Sequence, residues 1–549
     1  MPRREKLWLK SYPKDVRYHI DYPFKSLGQF FDETVEKMPD TTAMIFGSQT
    51  ITYKQFGDQV NRFAGALAGI GVKRGDRVGL MGPNCPQWEI AFFAILKLGA
   101  IVVQTNPMYI EREIAYQMND SGATTIIVLE MMYPRVKNVL EETALERVVV
   151  FNFMAPVIPA EGIYSYDELI KHDPVYPKVS INPVEDLAVL QYTGGTTGVS
   201  KGVMLTHFNL IANTLQVLEW DPNIRYGQDR ILTILPVFHV YGMTDCLNFA
   251  VAIAATQIIL PRFDVDQLLE TIRIHKPTFF PGAPTMFMAI NSHPKIAEYR
   301  ESIVAIKSCT SGSAPLPLEV AQKFAEVTHG EGVLVEGYGL SEASPVTHCN
   351  PLDRPTLPGS IGLPLPDTDY VIMDLETGDH EVPVGEIGEL CIRGPQVMKG
   401  YWQKHLETAE TLRNGWLHTG DIGKMDDDGF CYIIDRKKDI IIAGGYNIYP
   451  RDIEEVLYEH PKVKEVVVAG VPDLYRGETV KAYIVLQPDT EADEMEFITF
   501  CKSRMAAFKV PRHVEFRAEL PRTIVGKVLR RQLVEEEKAK IQAAAASQS

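Results

Sequence analysis

Amphipathic helical patterns alternate with short apolar strands through the first part of the 549-residue sequence. Residues 51–81 combine a turn, a long helix, a glycine-containing turn and a strand, and residues 88–107 repeat the helix and the strand. Residues 124–130 add a further apolar strand. Because strands that are apolar throughout must be covered on both faces, this alternation predicts an α/β fold with a largely parallel sheet.

The length of the chain predicts more than one folded unit, because single hydrophobic cores stop growing at about 250 to 300 residues. The composition is that of a globular protein, with 45% hydrophobic and 23% charged residues. A net charge of -16 argues against nucleic acid as the main partner, since a broad basic surface would be needed to bind it.

The cysteine and hydropathy patterns favour a cytoplasmic protein. The seven cysteines are scattered and lack the C-x-x-C spacing of a zinc site, which is typical of reduced structural thiols. No apolar segment of the signal-peptide kind follows the charged N-terminus, and the longest apolar stretch, residues 247–260, is too short to cross a bilayer. Peripheral contact with a membrane is left open.

The segment LQYTGGTTGVSKGVMLTH, residues 190–207, places a glycine- and threonine-rich loop between two apolar elements. Its glycines allow close backbone approach to a ligand, its hydroxyls donate hydrogen bonds, and its lysine supplies a cation. The spacing differs from GxxxxGK[ST] and from GxGxxG. It therefore predicts another kind of phosphate loop. The candidate phosphate ligands are Thr193, Gly194, Gly195, Thr196, Thr197, Gly198 and Lys201.

This loop resembles the TSGTTGxPKG loop of the adenylate-forming superfamily, which includes acyl-CoA synthetases, luciferases and peptide-synthetase adenylation domains. Glycine in place of the serine and the absence of the proline are similar to the bacterial long-chain fatty-acid–CoA ligases in particular. The resemblance extends over nearly the whole chain, from ITYKQF at residues 51–56 to Lys527, with the motifs in the family's order.

The segment EGYGLSE, residues 336–342, matches the family's YGxTE motif with serine in place of threonine. An aromatic face can stack on adenine, and a carboxylate can hold Mg²⁺ against the triphosphate. The resemblance implies Glu342 and Thr196 as metal ligands, and a second loop with Ser313 and Ala314 beside adenine. It implies nucleotide contacts from Glu336, Gly337, Tyr338, Gly339 and Ser341.

The C-terminal part carries the remaining matched motifs. Asp421 of HTGD corresponds to the carboxylate on the ribose hydroxyls, Arg436 to a second ribose contact, and Lys438 to the hinge. Lys527, in PRTIVGKVLRRQL, matches the adenylation lysine. The resemblance also implies a pantetheine channel near Gly444 and Gly445.

The resemblance implies a large N-terminal domain, residues 1–435, that binds AMP and the acyl group and contains α/β subdomains and a β-barrel-like region. A small mobile α+β domain, residues 436–549, would carry the adenylation lysine. The implied catalytic residues are Lys201, His239, Glu342 and Lys527, with His239 as a pocket-lining and orienting group.

Two apolar or acidic segments have more than one interpretation. Residues 279–290 either wall the acyl tunnel or belong to the core, and both alternatives are left open. The run Asp426-Asp427-Asp428-Gly429 has the composition of a metal site, but its place between two strand-like runs predicts a hairpin turn.

The resemblance implies an AMP-forming acid–thiol ligase that uses ATP, Mg²⁺ and coenzyme A. It would convert a medium- to long-chain fatty acid to an acyl-adenylate and then to the CoA thioester, releasing AMP and pyrophosphate. An aryl or cinnamate-type acid–CoA ligase shares every one of these motifs, and a non-catalytic acyl or nucleotide binder would keep the fold. Both alternatives, and a homodimer, are left open.

Overall fold

The computed structural model of the chain describes residues 6–154, 158–193, 200–330, 332–357, 359–443, 446–473, 476–523 and 526–546. Seven of the predicted site residues lie outside this part of the chain. They are Gly194, Gly195, Thr196, Thr197, Gly198, Gly444 and Gly445.

The largest sheet joins a parallel part to an antiparallel part. Its strands run parallel from Thr42–Phe46 to Leu334–Gly339 and antiparallel beyond that point. In spatial order the strands are Gln49–Thr52, Thr42–Phe46, Thr256–Ile259, Arg230–Thr233, Phe279–Gly282, Ser308–Ser311, Leu334–Gly339, Val346–Cys349, Ser360–Pro364, Cys431–Arg436, Trp416–Met425, Gly388–Arg393 and Asp369–Met373, with Leu412–Arg413 beside Trp416–Met425.

A second sheet is built mainly from parallel strands. Ile101–Thr105 and Thr125–Leu129 are buried at every position, as expected for strands that are covered on both faces. In spatial order the strands are Gly400–Tyr401, Lys201–Thr206, Leu187–Thr193, Ile101–Thr105, Arg77–Met81, Thr125–Leu129, Arg147–Phe151 and Ile163–Ser165. These sheets and the helices around them confirm the predicted α/β fold.

The third sheet forms the core of a smaller C-terminal unit. Its strands are Tyr446–Ile448, Ile441–Ala443, Gly477–Leu486, Val463–Asp473 and His513–Phe516. The chain passes from the large sheet to this one between Arg436 and Ile441, which is where the sequence places a hinge. Independent movement of residues 1–435 and 436–549 stays a prediction.

The helices of eight or more residues cover these sheets, and several begin at capping boxes in which a Ser or Thr accepts from the backbone three residues on. These helices are Leu27–Lys37, Tyr53–Gly69, Pro86–Lys97, Glu111–Ser121, His207–Trp220, Val265–His275, Pro284–Asn291, Ile296–Val304, Leu318–Val327, Pro450–Tyr458, Glu494–Lys502 and Arg530–Ala546. Shorter helical elements are Leu7–Ser11, Tyr133–Asn138, Leu140–Glu142, Tyr166–Leu169, Val240–Gly242, Met243–Asn248, Phe249–Ala252, Ser341–Ala343 and His405–Thr411. Across the described ranges, no helix is both long and apolar enough to pass through a bilayer.

The apolar segment 230–243 contains a strand that ends at Thr233 and a helix that begins at Val240, after Pro236. Phe287 is fully buried and its ring contacts Phe280, which places this part of segment 279–290 in the core.

The acidic run at residues 426–429 is the predicted hairpin turn. The backbone N–H of Asp426 donates to the carbonyl of Phe430 at 3.0 Å. The carboxylate of Asp426 accepts from the N–H groups of Asp428 and Phe430, each at 2.9 Å. Its oxygens therefore stabilise the turn between strands Trp416–Met425 and Cys431–Arg436.

Candidate active site

A cavity of about 1270 Å³ lies between the carboxyl ends of the parallel strands and the small C-terminal unit. Ligands bind at such strand ends in open α/β sheets. Every predicted site residue in the described part of the chain lines it. They are Thr193, Lys201, His239, Ser313, Ala314, Glu336, Gly337, Tyr338, Gly339, Ser341, Glu342, Asp421, Arg436, Lys438 and Lys527.

The two ends of the predicted phosphate loop are held together by strand pairing. Thr193 lies opposite Lys201 on adjacent antiparallel strands. The hydroxyl of Ser200 also donates to the carbonyl of Thr193 at 2.7 Å. The strand pair therefore places Thr193 and the Lys201 cation side by side at the wall of the cavity.

Tyr401 joins two of the predicted groups and was missed by the sequence analysis. Its hydroxyl donates to Glu342 Oε1 at 2.8 Å, and the Nζ of Lys201 lies 5.0 Å from the centre of its ring. Burial raises the pKa of Tyr401, so the phenol stays protonated and remains a donor. The tyrosine thus fixes the Glu342 carboxylate beside the phosphate-loop lysine.

Asp421 is held on two sides. It lies opposite Arg436 on the paired strand, with the Arg436 Nε 3.4 Å from Asp421 Oδ1. The hydroxyl of Tyr338 donates to the other carboxylate oxygen. These contacts fix the carboxylate at the cavity wall, where two acceptor oxygens suit two neighbouring hydroxyls.

Three cationic side chains of the cavity stand close together: Arg436, Lys438 and Lys527. Burial and, after it, the positive charge of Arg436 lower the pKa of Lys527 to about 7. Burial and the same guanidinium lower the pKa of Lys438 to about 8. Cations that repel one another in a low-dielectric cavity gain most from an anion, so this part of the cavity is suited to a carboxylate and phosphate.

Lys527 is carried by a tight loop that approaches the large unit closely. The N–H of Thr523 donates to the Lys527 carbonyl at 2.8 Å, and Gly526 adopts a left-handed φ of 79°. A Cβ at Gly526 would lie 2.7 Å from the Oγ1 of Thr285. Glycine therefore allows both the turn and the close contact that brings the lysine into the cavity.

His239 is neutral in this environment. Burial lowers its pKa to about 4, and the positive charge of Lys527 contributes. Its Nδ1 accepts from the N–H of Tyr241 at 3.3 Å, so the neutral ring carries its proton on Nε2. A neutral donor on the cavity wall suits the predicted orienting role rather than proton transfer.

The loop beside Ala314 presents an unused hydroxyl. Ser313 has a left-handed φ of 72°, and its buried Oγ has no hydrogen-bond partner among the described residues. Nearby, Glu336 accepts from the N–H of Leu316 at 3.2 Å, and burial raises its pKa to about 7. A ligand with its own polar groups would satisfy this hydroxyl.

Arg451 attaches the small unit to the last strand of the large sheet. Its backbone N–H donates to Asp435 Oδ2 at 3.0 Å, and its guanidinium Nη1 donates to the Ile433 carbonyl at 2.8 Å. Both acceptors belong to Cys431–Arg436. The contact fixes the small unit over the cavity.

Arg530 makes a second attachment at the same point. Its guanidinium donates to Asp439 at 2.8 Å and to Glu454 at 2.7 Å, and Nη1 lies 3.8 Å from Asp435. The three carboxylates belong to the small unit, the connecting segment and the large sheet. The arginine lies in the segment PRTIVGKVLRRQL, but nothing in that segment indicates these partners.

A buried group of Glu389, Cys391 and His418 has the side-chain chemistry of a metal site. However, the guanidinium of Arg413 lies 3.0 Å from His418 Nδ1, and Lys437 Nζ lies 3.4 Å from Glu389. The carboxylate of Glu389 already has cationic side chains near it, and burial raises the pKa of the Cys391 thiol. The arrangement therefore favours a charge-balanced polar cluster over a metal ion.

The AMP-binding enzyme family matches residues 31–402, and its C-terminal domain matches residues 452–527. A long-chain-fatty-acid–CoA ligase from Bacillus subtilis (strain 168) is 46% identical over 557 residues, covering 97% of this chain and 98% of the relative. A long-chain-fatty-acid–CoA ligase from Escherichia coli O6:H1 is 38% identical over 564 residues, covering 98% and 99%.

Two solved structures of MatB from Rhodopseudomonas palustris, both 28% identical, are informative as a pair. The ATP-bound form has a TM-score of 0.84, covering 93% of this chain and 99% of MatB. The apo form has a TM-score of 0.73, covering 94% and 99%. The two forms have the same identity to this chain and nearly the same coverage, but they differ in TM-score. The arrangement of this chain is therefore more similar to that of the ATP-bound form.

The fold and the cavity together define an enzyme of the adenylate-forming class, in which a small C-terminal unit lies over a site at the strand ends of a larger α/β unit. The chain belongs to the AMP-binding enzyme family. The resemblance that was drawn from the phosphate loop is thereby confirmed.

Proposed function

We propose that this chain is an AMP-forming acid–thiol ligase that activates medium- to long-chain fatty acids and transfers them to coenzyme A. The observation that carries this proposal is that one cavity is lined by the cations, by the carboxylates and by a set of apolar side chains. The full-length similarity to long-chain-fatty-acid–CoA ligases supports the same substrates, namely a fatty acid, ATP and CoA.

In the first half-reaction an oxygen of the fatty acid carboxylate attacks the α-phosphorus of ATP, and pyrophosphate leaves. Two anions must approach each other, so positioned cations supply most of the catalysis. Lys527 neutralises the carboxylate and the α-phosphate, and Lys201 holds the departing phosphates. Asp421 binds the ribose hydroxyls, and Tyr338 stacks on adenine. His239 donates from Nε2 to orient the carboxylate.

The carboxylate chemistry at this site fits Mg²⁺. Carboxylate oxygens are preferred ligands of this ion, and Tyr401 already fixes the Glu342 side chain beside Lys201. We assign Glu342 and Thr196 as the residues that would hold it. When bound, Mg²⁺ neutralises triphosphate charge.

In the second half-reaction the CoA thiol attacks the activated carbonyl, and AMP leaves. The small unit rotates about Lys438 after the first step, which withdraws Lys527 and brings Gly444 and Gly445 to the path of the pantetheine arm. The two steps thus use two faces of the small unit. The position of Lys527 in the wall of the cavity supports a role for this arrangement in the first step.

An apolar branch of the cavity supports an acyl chain as substrate. It is lined by side chains at the starts of Phe279–Gly282 and Ser308–Ser311, while Gly312 and Ser313 line the opposite end. The branch therefore follows these strands over their length, roughly 10 Å at 3.3 Å per residue. Its other walls come from Val217, Trp220 and Phe249. A depth of this order favours an extended chain over a single aromatic ring.

Pyrophosphate and AMP release with ATP, Mg²⁺ and CoA tests the proposal directly. Octanoate, palmitate and oleate should support turnover with a higher kcat/KM than benzoate or cinnamate. A preference for the aromatic acids would favour an aryl acid–CoA ligase instead. Binding of ATP and oleate without release of AMP would favour a non-catalytic binder.

Replacing Asp421 with alanine should raise the KM for ATP about 100-fold, because hydrogen bonds to a charged group contribute about 1.5 to 3 kcal/mol each. The KM for the fatty acid should change by less than about 3-fold, since the nucleotide is the substrate that this carboxylate is proposed to bind. Initial rates at varied ATP measure the effect. Asp427→Ala, on the exposed hairpin turn, is the matched control and should leave both KM values unchanged. An equal rise in both KM values would contradict the ribose assignment.

The pH profile of the first half-reaction should report the ionisation of Lys527. The pKa of this ammonium is about 7, so kcat/KM should fall as the pH rises above about 7 and the charge is lost. Lys527→Arg keeps the charge at all these pH values. In this variant the fall of kcat/KM should therefore move up to a pH of about 8, the pKa of Lys438. If kcat/KM falls at the same pH in the variant as in the wild type, a group other than Lys527 is responsible for the fall.

We also propose a cytoplasmic location, because all seven cysteines are buried and unpaired, as expected in a reducing compartment. Peripheral contact with a membrane and a homodimer stay predictions. Flotation with phospholipid vesicles measures the membrane contact, and light scattering of the purified protein measures the oligomeric state.

A further inference from the structure

One buried carboxyl group faces the apolar branch of the cavity. Asp245 lies in the π-helical turn Met243–Asn248 and lines the cavity, yet only 7% of its surface is exposed. Its Oδ2 has no hydrogen-bond partner among the described residues. Turns of this kind are rare and often mark functional sites. The proposed catalytic steps make no use of this group.

The position of Asp245 along the branch follows from its neighbours. Tyr241, Asp245 and Phe249 are spaced four residues apart, and all three line the cavity. Tyr241 lies at the reacting end, where its hydroxyl donates to the Thr310 carbonyl at 3.1 Å. The ring of Phe249 lies 5.5 Å from that of Phe279 at the far end. At about 1.5 Å per residue, Asp245 is roughly 6 Å from each of them, so it faces the middle of the branch.

The charge state of Asp245 is set by its surroundings. Burial raises its pKa to about 8, so the carboxyl is protonated at neutral pH and has both a donor and an acceptor. Asp221 lines the same branch, but one of its oxygens accepts from the N–H of Asn223 at 2.8 Å. Burial raises the pKa of the Cys349 thiol, and Asp245 and Asp221, which lie near it, raise it further. The middle of the branch is therefore polar, although most of its wall is apolar.

An unsubstituted hydrocarbon chain leaves this carboxyl without a partner. A buried polar group that is left unsatisfied costs about 1 to 3 kcal/mol. A neutral oxygen in the chain can accept from the protonated carboxyl, and a hydroxyl can also donate to it. A hydroxyl or oxo group part of the way along the chain has the required chemistry.

We propose that Asp245 determines substrate specificity by selecting fatty acids that bear a hydroxyl or oxo oxygen in the middle of the chain. This inference rests on the proposed acid–thiol ligase activity and deepens it. A hydrogen bond to the substrate oxygen favours the oxygenated chain over the plain one, because the plain chain leaves the buried carboxyl without a partner.

The test compares kcat/KM for octadecanoic acid with that for its 8-, 10- and 12-hydroxy derivatives, by AMP release. The wild type should prefer at least one hydroxy acid by about 10-fold, the value of a single well-placed hydrogen bond. Asp245→Leu should reverse this preference, since it improves use of the plain acid and impairs use of the hydroxy acid. Asp245→Asn keeps a donor and an acceptor and should retain the preference.

The ratio of the two kcat/KM values within one variant does not depend on the fraction of active protein. Asp245→Ala provides a second variant if the leucine is not accommodated, and it should also remove the preference. Asn248→Leu, in the same turn and buried, is the control and should keep the wild-type ratio.

Two kinds of failure can be distinguished. If the wild type uses the plain acid but shows no preference for any hydroxy acid, or if Asp245→Leu changes both values by the same factor, the role of Asp245 is wrong and the ligase activity stands. If the wild type releases no AMP with any of the acids, the ligase proposal itself fails, and this inference fails with it.

Discussion

Lys527→Ala is expected to lower the rate of acyl-adenylate formation by about 10³-fold, which is the effect of removing a central electrostatic group from a preorganised site. The alanine leaves a carboxylate and a phosphate to approach each other without the neutralising ammonium. Thioester formation from supplied acyl-adenylate should change by less than about 3-fold, because that step is proposed to use the other face of the small unit.

Two assays separate these half-reactions. Pyrophosphate release with oleate and ATP measures the first, and oleoyl-CoA formation from synthetic oleoyl-adenylate and CoA measures the second. Lys502→Ala, an exposed lysine of the same C-terminal unit, is the matched control and should affect neither. An equal loss of both half-reactions in Lys527→Ala would contradict a rotation of the small unit between them.

The fold could be predicted from the sequence where local patterns determine it. The helix and strand alternation in residues 51–130 gave the covered sheet, because burial on two faces imposes apolar strands. In segment 230–243 the sequence does not predict where the strand ends, because apolar character does not distinguish a buried strand from a buried helix. There the chain turns at Pro236 and continues as helical turns that wall the cavity.

The candidate site could be predicted where one short segment carries the chemistry, as for Lys527, Asp421 and Glu342. All three line the cavity. Partners that are distant in the sequence could not be predicted in the same way. Tyr401 is one of these residues, since its contacts with Lys201 and Glu342 exist only once two sheets are assembled.

Asp245 was missed for a different reason. Its position in an apolar run indicates burial, but the direction of its side chain depends on the local π-helical turn. One residue more or less in that turn changes which side chain faces the cavity. The sequence therefore indicates which segments wall the acyl site, but not which of their side chains face the substrate.

Arg530→Met is expected to lower acyl-adenylate formation by about 100-fold by weakening the attachment of the small unit. The guanidinium is the shared partner of Glu454, Asp439 and Asp435. Removing it leaves carboxylates uncompensated in a largely buried place, at a cost of about 3 kcal/mol, or roughly two factors of ten. The side chain of methionine keeps much of the volume, so the loss reports charge rather than packing.

If Arg530 acts by orienting the small unit, its replacement should affect the first half-reaction and not the second. Pyrophosphate release should fall, thioester formation from supplied acyl-adenylate should be retained, and proteolysis between residues 436 and 441 should become faster because the connecting segment is exposed more often. Arg512→Met, an exposed arginine of the same unit, should match the wild type in all three measurements. If both half-reactions instead fall together with the unfolding temperature, Arg530 stabilises the small unit itself, and Arg451 with Asp435 must supply the attachment that orients it.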